Sequence, residues 1–467
     1  MKKKSILMVA CLLVVSLVFA GCGFQKLSKM PSLEAEVLGN GGLSVTKGEY
    51  VYYVDSFVES SSITKDGNTY NKVKKASIYR AKMVDNKLVY NEAGVLQNVE
   101  LVVPKIVGFE NTNLFIFDDY IYYGTPNTQN DQSGKLRNDL IDFCRAKLDG
   151  SNVQVIYTTE EYSDKATHSF YKINDKVYLV CFEGTNLVKV EIGSHIKKAE
   201  VLAEDLSSVM LPSVNNYTYA QSVTTIGTLG YAYYTRALTE DDGFLSTTDK
   251  GNVFGRVNIA TGEKTEIKDG ETTHELSSVQ SNYVYDYQTK NGNKCLYATN
   301  DMKSFIQVTA TDAYTNVIVL TNVNGENRGI IATFKDKTVW IKDGTNVKES
   351  SELVLNSSIT IKYVDANYIY YLDGTKIFRI SLEDFSKELV VSDSTMNTNY
   401  FDFTQEGYIY YFATYKGDSD ESGVYLNRVD LSQKIEPKEG EDETDLGYKI
   451  QLVGTLDENH ISTVDEE

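Results

Sequence analysis

The side chains able to ligate a metal, carry a proton or attack a bond are few in this chain: four histidines, His168, His195, His274 and His460, and five cysteines, Cys11, Cys22, Cys144, Cys181 and Cys295. No two histidines stand at the spacing of a helical metal pair, and no glycine-flanked serine or phosphate-cradling glycine loop occurs. Each histidine is expected in a loop or at the surface. Asp418-Ser419-Asp420-Glu421-Ser422-Gly423 opens like a calcium loop, with Asp418, Asp420 and Ser422 offering oxygens at alternate positions. Val429 stands where such a loop places its bidentate Glu, so a solvated acidic turn is the default reading and weak calcium binding the alternative; no other cofactor is expected. Carboxylate pairs for glycoside hydrolysis converge in space from distant loops. With 65 Asp and Glu such pairs are inevitable, and none stands out by spacing.

The elements that would position such groups are bounded by composition. The chain has 467 residues, 46 Lys and Arg against 65 acids, and a net charge of −19, which leaves no basic stripe for a nucleic-acid partner. Its 34 Tyr and 18 Phe against five Pro favour pleated, half-buried surfaces, so strands are expected throughout.

The first residues are an address. Lys2, Lys3 and Lys4 precede an apolar run of 14 residues, Ile6 to Phe19, too short for a permanent span of ~20 residues. The sequence Val18-Phe19-Ala20-Gly21-Cys22 that follows resembles the lipobox of bacterial lipoproteins, with Phe19 in place of the usual Leu. That resemblance implies diacylglycerol on the Cys22 sulfur, cleavage before it, and a location on the outer side of the cell membrane. An ordinary secretory signal is the alternative. Removing residues 1–21 leaves 43 basic against 65 acidic residues, a charge of −22 that anionic headgroups repel. Residues 22–38 read as a lipidated tether. Cys144, Cys181 and Cys295 remain and fall in expected strands; buried free thiols are one reading and a Cys144 to Cys181 bridge the other.

A repeat runs through the tyrosines. Its copies are Tyr50-Val51-Tyr52-Tyr53, Tyr120-Ile121-Tyr122-Tyr123, Val177-Tyr178-Leu179-Val180, Tyr231-Ala232-Tyr233-Tyr234, Tyr283-Val284-Tyr285-Asp286, Gly329-Ile330-Ile331-Ala332, Tyr368-Ile369-Tyr370-Tyr371 and Tyr408-Ile409-Tyr410-Tyr411. Successive copies lie 70, 57, 54, 52, 46, 39 and 40 residues apart. A more polar strand precedes each motif, as in Asn399 to Phe403, and two follow, as in Lys376 to Leu382 and Glu388 to Val391. Four short antiparallel strands repeated eight times are a β-propeller pattern, because stacking blades around an axis buries the faces that one small sheet leaves open. Seven blades, or two β-sandwiches, are the alternatives.

Phe143-Cys144-Arg145-Ala146-Lys147-Leu148-Asp149-Gly150-Ser151 with Val153 to Tyr157 resembles the strand, turn and strand of the low-density-lipoprotein-receptor-type propeller repeat, as does Ile369 to Gly374 with Ile377 to Ile380. The Trp-Thr-Asp of that family's characteristic strand is replaced, so its ligand surface does not carry over. Nearly all of the chain after residue 40 resembles the tyrosine-rich propellers of Gram-positive lipoproteins, a family without an assigned function. Thr247 to Phe254 resembles the Asp box of sialidase-type propellers, where it shapes a hairpin; one copy without a set of arginines does not imply that activity.

The expectation is an all-β chain: a signal peptide at 1–21, the tether at 22–38, a single eight-bladed propeller at 39–456 with Tyr448 to Val453 as its last strand, and an acidic tail at 457–467. Four long connections, Ser56 to Lys75, Thr125 to Leu140, Ala237 to Asn252 and Ala413 to Gly423, join corresponding strands and should gather on one rim. Their Asn, Asp, Ser, Thr, Gly and Tyr content suits recognition of an envelope protein or cell-wall glycan. A binding or scaffolding module is therefore expected, with tolerated insertions as the bland reading and a glycan hydrolase or lyase using rim carboxylates as the alternative function. A two-lobed solute receptor lacks the helical crossovers it would need.

Overall fold

Runs such as Tyr50-Val51-Tyr52-Tyr53 suit a pleated strand, and every regular element among the described residues is a strand. The computed structural model describes residues 28–454 apart from 59–62, 66–67, 71–73, 109–113, 128–139, 161–166, 213–229, 242–246, 269–270, 281–282, 311–313, 321–328, 343–344, 352, 354, 356–358, 405–406, 417–421 and 438–445.

The strands form eight four-stranded antiparallel meanders in chain order. Blade 1 holds β1 (Val37–Leu38), β2 (Ser44–Lys47), β3 (Tyr50–Val58), β6 (Lys74–Lys82) and β7 (Val99–Gly108), β1 being an added edge, with the small hairpin β4 (Ile63–Lys65) and β5 (Asn68–Tyr70) between β3 and β6. Blade 2 is β8 (Phe115–Phe117), β9 (Tyr120–Pro126), β10 (Ile141–Lys147) and β11 (Gln154–Thr158); blade 3 is β12 (Thr167–Ile173), β13 (Lys176–Glu183), β14 (Asn186–Ile192) and β15 (Glu200–Ala203). Blade 4 is β16 (Leu206–Met210), β17 (Tyr231–Asp241), β18 (Thr247–Asn258) and β19 (Lys264–Lys268); blade 5 is β20 (Thr272–Gln280), β21 (Tyr283–Lys290), β22 (Asn293–Thr299) and β23 (Ile306–Ala310). Blade 6 is β24 (Tyr314–Val319), β25 (Ile330–Phe334), β26 (Thr338–Lys342) and β27 (Thr345–Ser350); blade 7 is β28 (Thr360–Val364), β29 (Tyr368–Asp373), β30 (Lys376–Ser381) and β31 (Lys387–Ser392). Blade 8 is β32 (Met396–Phe403), β33 (Tyr408–Lys416), β34 (Ser422–Lys434) and β35 (Tyr448–Leu452), the last being the expected closing strand.

Every copy of the tyrosine motif falls on the second strand of its blade, and strand alternation divides its residues between two neighbours. Ile409 and Tyr411 of blade 8 pack into one core with Tyr370 and Ile377 of blade 7, whereas Tyr410 and Phe412 pack into the core of blade 1 with Val45 and Tyr52. The same split recurs at blade 7, where Ile369 and Tyr371 face Ile331 of blade 6 while Tyr370 faces blade 8. It recurs again at blade 4, where Ala232 and Tyr234 face blade 3 and Tyr233 faces Val284 of blade 5. Blade 1 shares its core with blade 2 through Ile121 and Tyr123 as well as with blade 8, so the ring closes.

Among the described residues closure involves no exchanged strand: blade 1 is built from the N-terminal part and blade 8 from the C-terminal part. Polar contacts join them. The Asp402 carboxylate accepts from the Ser44 backbone N–H (3.2 Å) and hydroxyl (3.4 Å), the Leu426 N–H donates to Asp55 (3.3 Å), and Phe57 of β3 pairs with Val424 of β34.

The motif also carries an unexpected partner. On the third strand of five blades an arginine stands opposite the motif's third residue, in the pairs Tyr52 with Arg80, Tyr122 with Arg145, Tyr233 with Arg256, Tyr370 with Arg379 and Tyr410 with Arg428. Each guanidinium lies over the ring of the motif's first tyrosine, at 4.7 Å from Tyr50, 4.5 Å from Tyr120, 4.3 Å from Tyr231, 4.2 Å from Tyr368 and 4.2 Å from Tyr408. Such contacts stabilise by about 0.5–2 kcal/mol depending on desolvation. Three of these arginines also bond to the next blade: Arg80 donates to the Leu148 carbonyl (3.1 Å), Arg256 to the Asn300 carbonyl (3.1 Å), and Arg379 to the Tyr448 hydroxyl.

The Asp149-Gly150 turn sits as expected between β10 and β11. Gly150 has φ +75° and lies so close to blade 1 that a Cβ there would be 2.0 Å from the Val102 carbonyl oxygen, which only glycine tolerates.

Candidate functional site

A four-stranded meander places its two hairpins, first to second and third to fourth strand, on one face of the ring. The second-to-third connections and the links between blades lie on the other. The four long connections all join second to third strands, in blades 1, 2, 4 and 8, so they share this loop face. Three are on consecutive blades, 8, 1 and 2. In blades 4 and 8 the strands beneath are lengthened: β17 and β18 run to 11 and 12 residues and β34 to 13, against five in β25 and β26. The pairing of Phe57 with Val424 ties the extended ends of blades 1 and 8 to each other.

On blades 2 and 3 the loop face carries polar side chains bonded to one another. In blade 2, Asn127 Nδ2 donates to Asp142 Oδ1 (2.7 Å), Thr158 Oγ1 bonds to the same oxygen, and the Thr159 hydroxyl accepts from the Ile141 N–H (2.9 Å). In blade 3, Glu183 accepts from the Tyr157 hydroxyl (2.6 Å) and from the Glu160 N–H, joining it to blade 2. Asp142 and Glu183 are buried, and their oxygens hold backbone and side chains in place. Farther round, a cleft of about 550 Å³ opens between blades 3 and 4, lined by Glu204, Asp205, Tyr234, Arg236, Lys264 and Lys268 among others. Arg236 forks onto Glu266 (3.1 and 3.0 Å), and that contact, with help from Tyr234 and Lys268, holds the Glu266 carboxyl down at about 2.

Two histidines require correction. His168 and His274 are not surface or loop residues; they are buried in β12 and β20, where alternation turns them into the blade interfaces. His274 Nδ1 is 2.6 Å from Asp286 Oδ2 and its ring stacks on Phe254 at 5.3 Å, while burial raises the Asp286 carboxyl. The pair has the geometry of a base and its orienting acid, but His274 Nε2 is buried away from solvent, so no substrate reaches it. His195 is in an exposed turn, as expected. His460 lies outside the described residues.

The Cys144 to Cys181 bridge is also overturned: both are free and buried, Cys144 in the core shared by blades 1 and 2, Cys181 in that of blades 2, 3 and 4. Burial pushes the Cys144 thiol up to about 12 and raises Cys181 as well, so neither is a nucleophile at neutral pH. Cys295 is free and partly exposed. Cys22, the expected lipidation residue, and Asp418 and Asp420 lie outside the described residues. Ser422 opens β34, paired with Lys416, and Val429 is buried within that strand, so the twelfth position of the calcium pattern faces the core. Among the described residues no group of three or more His, Cys, Asp or Glu could hold a metal, and no helix is long and apolar enough to cross a membrane.

No family model matches the chain, and no curated protein matches it. Solved structures align over most of its length at low identity. A prolyl endopeptidase covers 86% of this chain at 11% identity and TM-score 0.41, and this chain spans 56% of that enzyme's length. The β-propeller domain of the Trilobed protease from Pyrococcus furiosus covers 85% at 9% identity and TM-score 0.36, with 94% of that domain matched. TolB from Acinetobacter baumannii covers 86% at 10% identity and TM-score 0.30, with 79% of TolB matched. The eight-bladed architecture rests on the strand pairing and the shared cores described above.

The sequence pointed to the long connections. It missed Asp142, Glu183 and the Arg236 to Glu266 fork, whose only trace is their place at the loop-face ends of recognisable strands.

Proposed function

We propose that the chain is an extracytoplasmic binding or scaffolding module, anchored by lipid on Cys22, that holds an envelope protein or a cell-wall glycan with its loop face. The observation that carries this reading is the gathering of the four long connections on one face, three of them on adjacent blades 8, 1 and 2, beside a hydrogen-bonded floor on blades 2 and 3. Conserving a scaffold and varying its loops is how such surfaces acquire partners. Support for the anchor comes from the lipobox-like Val18 to Cys22 and the similarity to tyrosine-rich lipoprotein propellers of Gram-positive bacteria.

The test is crosslinking capture from the native cell envelope, with the soluble chain beginning at Gly23 as bait and the same chain with shortened connections 127–140 and 414–423 as control. A specific protein recovered with the first and lost with the second supports the scaffold. Recovery of glycan alone selects the glycan ligand, and capture unaffected by the shortening removes the loop face from consideration.

A further inference from the structure

The segment leading into the propeller is fastened to one particular face. The Ser28 N–H donates to Glu100 Oε1 (2.7 Å), its hydroxyl is 2.7 Å from that of Tyr50, and its carbonyl accepts from Arg80 Nη2 (2.9 Å). The Tyr50 hydroxyl donates to the Lys29 carbonyl (3.2 Å), Lys47 Nζ to the Leu33 carbonyl (3.3 Å), and the Gly48 N–H to the Glu36 carbonyl (3.3 Å). Lys47, Gly48 and Tyr50 form the turn between β2 and β3, so the attachment is on the hairpin face of blade 1, opposite the long connections. Two of the fasteners are buried cations: Arg80 and Lys47 are each 0% exposed. Freeing the segment would take one carbonyl partner from each cation, Arg80 keeping Glu100 and the Leu148 carbonyl and Lys47 the Asp118 carbonyl, so the attachment is a set of charge-assisted hydrogen bonds that must break together.

We propose that the hairpin face of the ring is its membrane-facing side and that the loop face looks away from the bilayer. This rests on the reading of Cys22 as the lipidated residue. From Cys22 to Ser28 the chain has six residues, which span ~20 Å at full extension. The nine residues of β3, running from the hairpin face at Tyr50 to the loop face at Val58, span ~30 Å. A leash shorter than the blade is deep, starting from the hairpin face, cannot let the loop face turn down onto the lipid. The charge of −22 on the mature chain acts in the same direction, holding the ring off the headgroups at the limit of the leash. The partner of the loop face is therefore reached on the side of the wall, not within the membrane plane.

The test uses the full lipidated protein in nanodiscs containing a headgroup-labelled acceptor lipid. A donor dye is placed on one cysteine in a Cys295→Ser background, either Lys303→Cys in the exposed hairpin-face turn of blade 5 or Thr185→Cys in the exposed loop-face turn of blade 3. Blade 5 is across the ring from blade 1, so the comparison also distinguishes a ring lying flat from one standing on its edge. Energy transfer severalfold stronger from Lys303→Cys than from Thr185→Cys is expected. Equal or reversed transfer in protein that carries the acyl chains by mass overturns the orientation alone. Absence of acyl chains from Cys22, with no disc binding by either labelled protein and no change on Cys22→Ala, overturns the anchor and the orientation with it.

Discussion

The guanidinium of Arg379 lies 4.2 Å over the ring of Tyr368, its own blade's first motif tyrosine, while its Nε donates to Glu388 (2.7 Å) and its Nη2 reaches the Tyr448 hydroxyl of the next blade. One side chain thus binds three strands of blade 7 and crosses the seam to blade 8. Lysine keeps the charge and loses the planar fork. Arg379→Lys and Arg379→Leu are both expected to lower stability by about 2 kcal/mol, the scale of a partly buried charged hydrogen bond with its stacked ring. Thermal unfolding followed by hydrogen exchange checks this, with protection lost first in β29, β30 and β35. An unchanged midpoint in Arg379→Lys would show that charge alone suffices.

Because no strand among the described residues is exchanged between the first and last blades, their seam is the place where the ring should open first. Asp402→Ala removes the acceptor of the Ser44 N–H and hydroxyl and is expected to accelerate amide exchange in β2 and β32 while leaving blades 4 and 5 at wild-type rates. Uniform acceleration around the ring would mean that it unfolds as a single unit.

Thiol reactivity separates the three cysteines of the propeller. Cys295 is expected to be alkylated in the native protein, Cys144 and Cys181 only after unfolding, and reducing agent to leave the melting temperature unchanged. Peptide mass mapping with and without denaturant reads all three.

Acid titration of stability has a definite sign at Glu266. Its pKa falls from 4.5 to about 2 in the folded chain, chiefly through the Arg236 hydrogen bonds, so its contribution is present above pH 4.5 and is lost as pH falls toward 2. Glu266→Gln is expected to flatten the acid limb by about 1 kcal/mol, the upper scale for a pair with partial solvent contact, and to change little below pH 2. Denaturant midpoints measured from pH 7 to pH 2 decide it.

The architecture was legible because its signal is local. Tyr368-Ile369-Tyr370-Tyr371 and its seven counterparts each announce a second strand, and their recurrence announces the ring, since aromatic alternation survives any change in loop length. What escaped depends on register across strands. Asp286 and His274 meet because a bulge between Leu276 and Ser278 shifts the β20 to β21 pairing, and no spacing in sequence encodes that shift. Asp402 and Ser44 are separated by 358 residues and meet only once the ring has closed. Arg80 reads as an ordinary strand residue until Ser28 is seen folded back onto it. The loop face was inferable from the corresponding positions of the long connections; its floor of Asp142, Thr159 and Glu183 was not, because those side chains converge from two blades.

The loop face is proposed to engage a partner in the envelope. Photo-crosslinking in intact cells tests it most directly, with a photoreactive residue at Asn130 or Asp242 in the long connections and at Lys303 on the hairpin face. A discrete higher-mass protein or glycan adduct is expected from Asn130 or Asp242, and none of that mass from Lys303. The same adduct from Lys303, or no adduct from either connection, would contradict it.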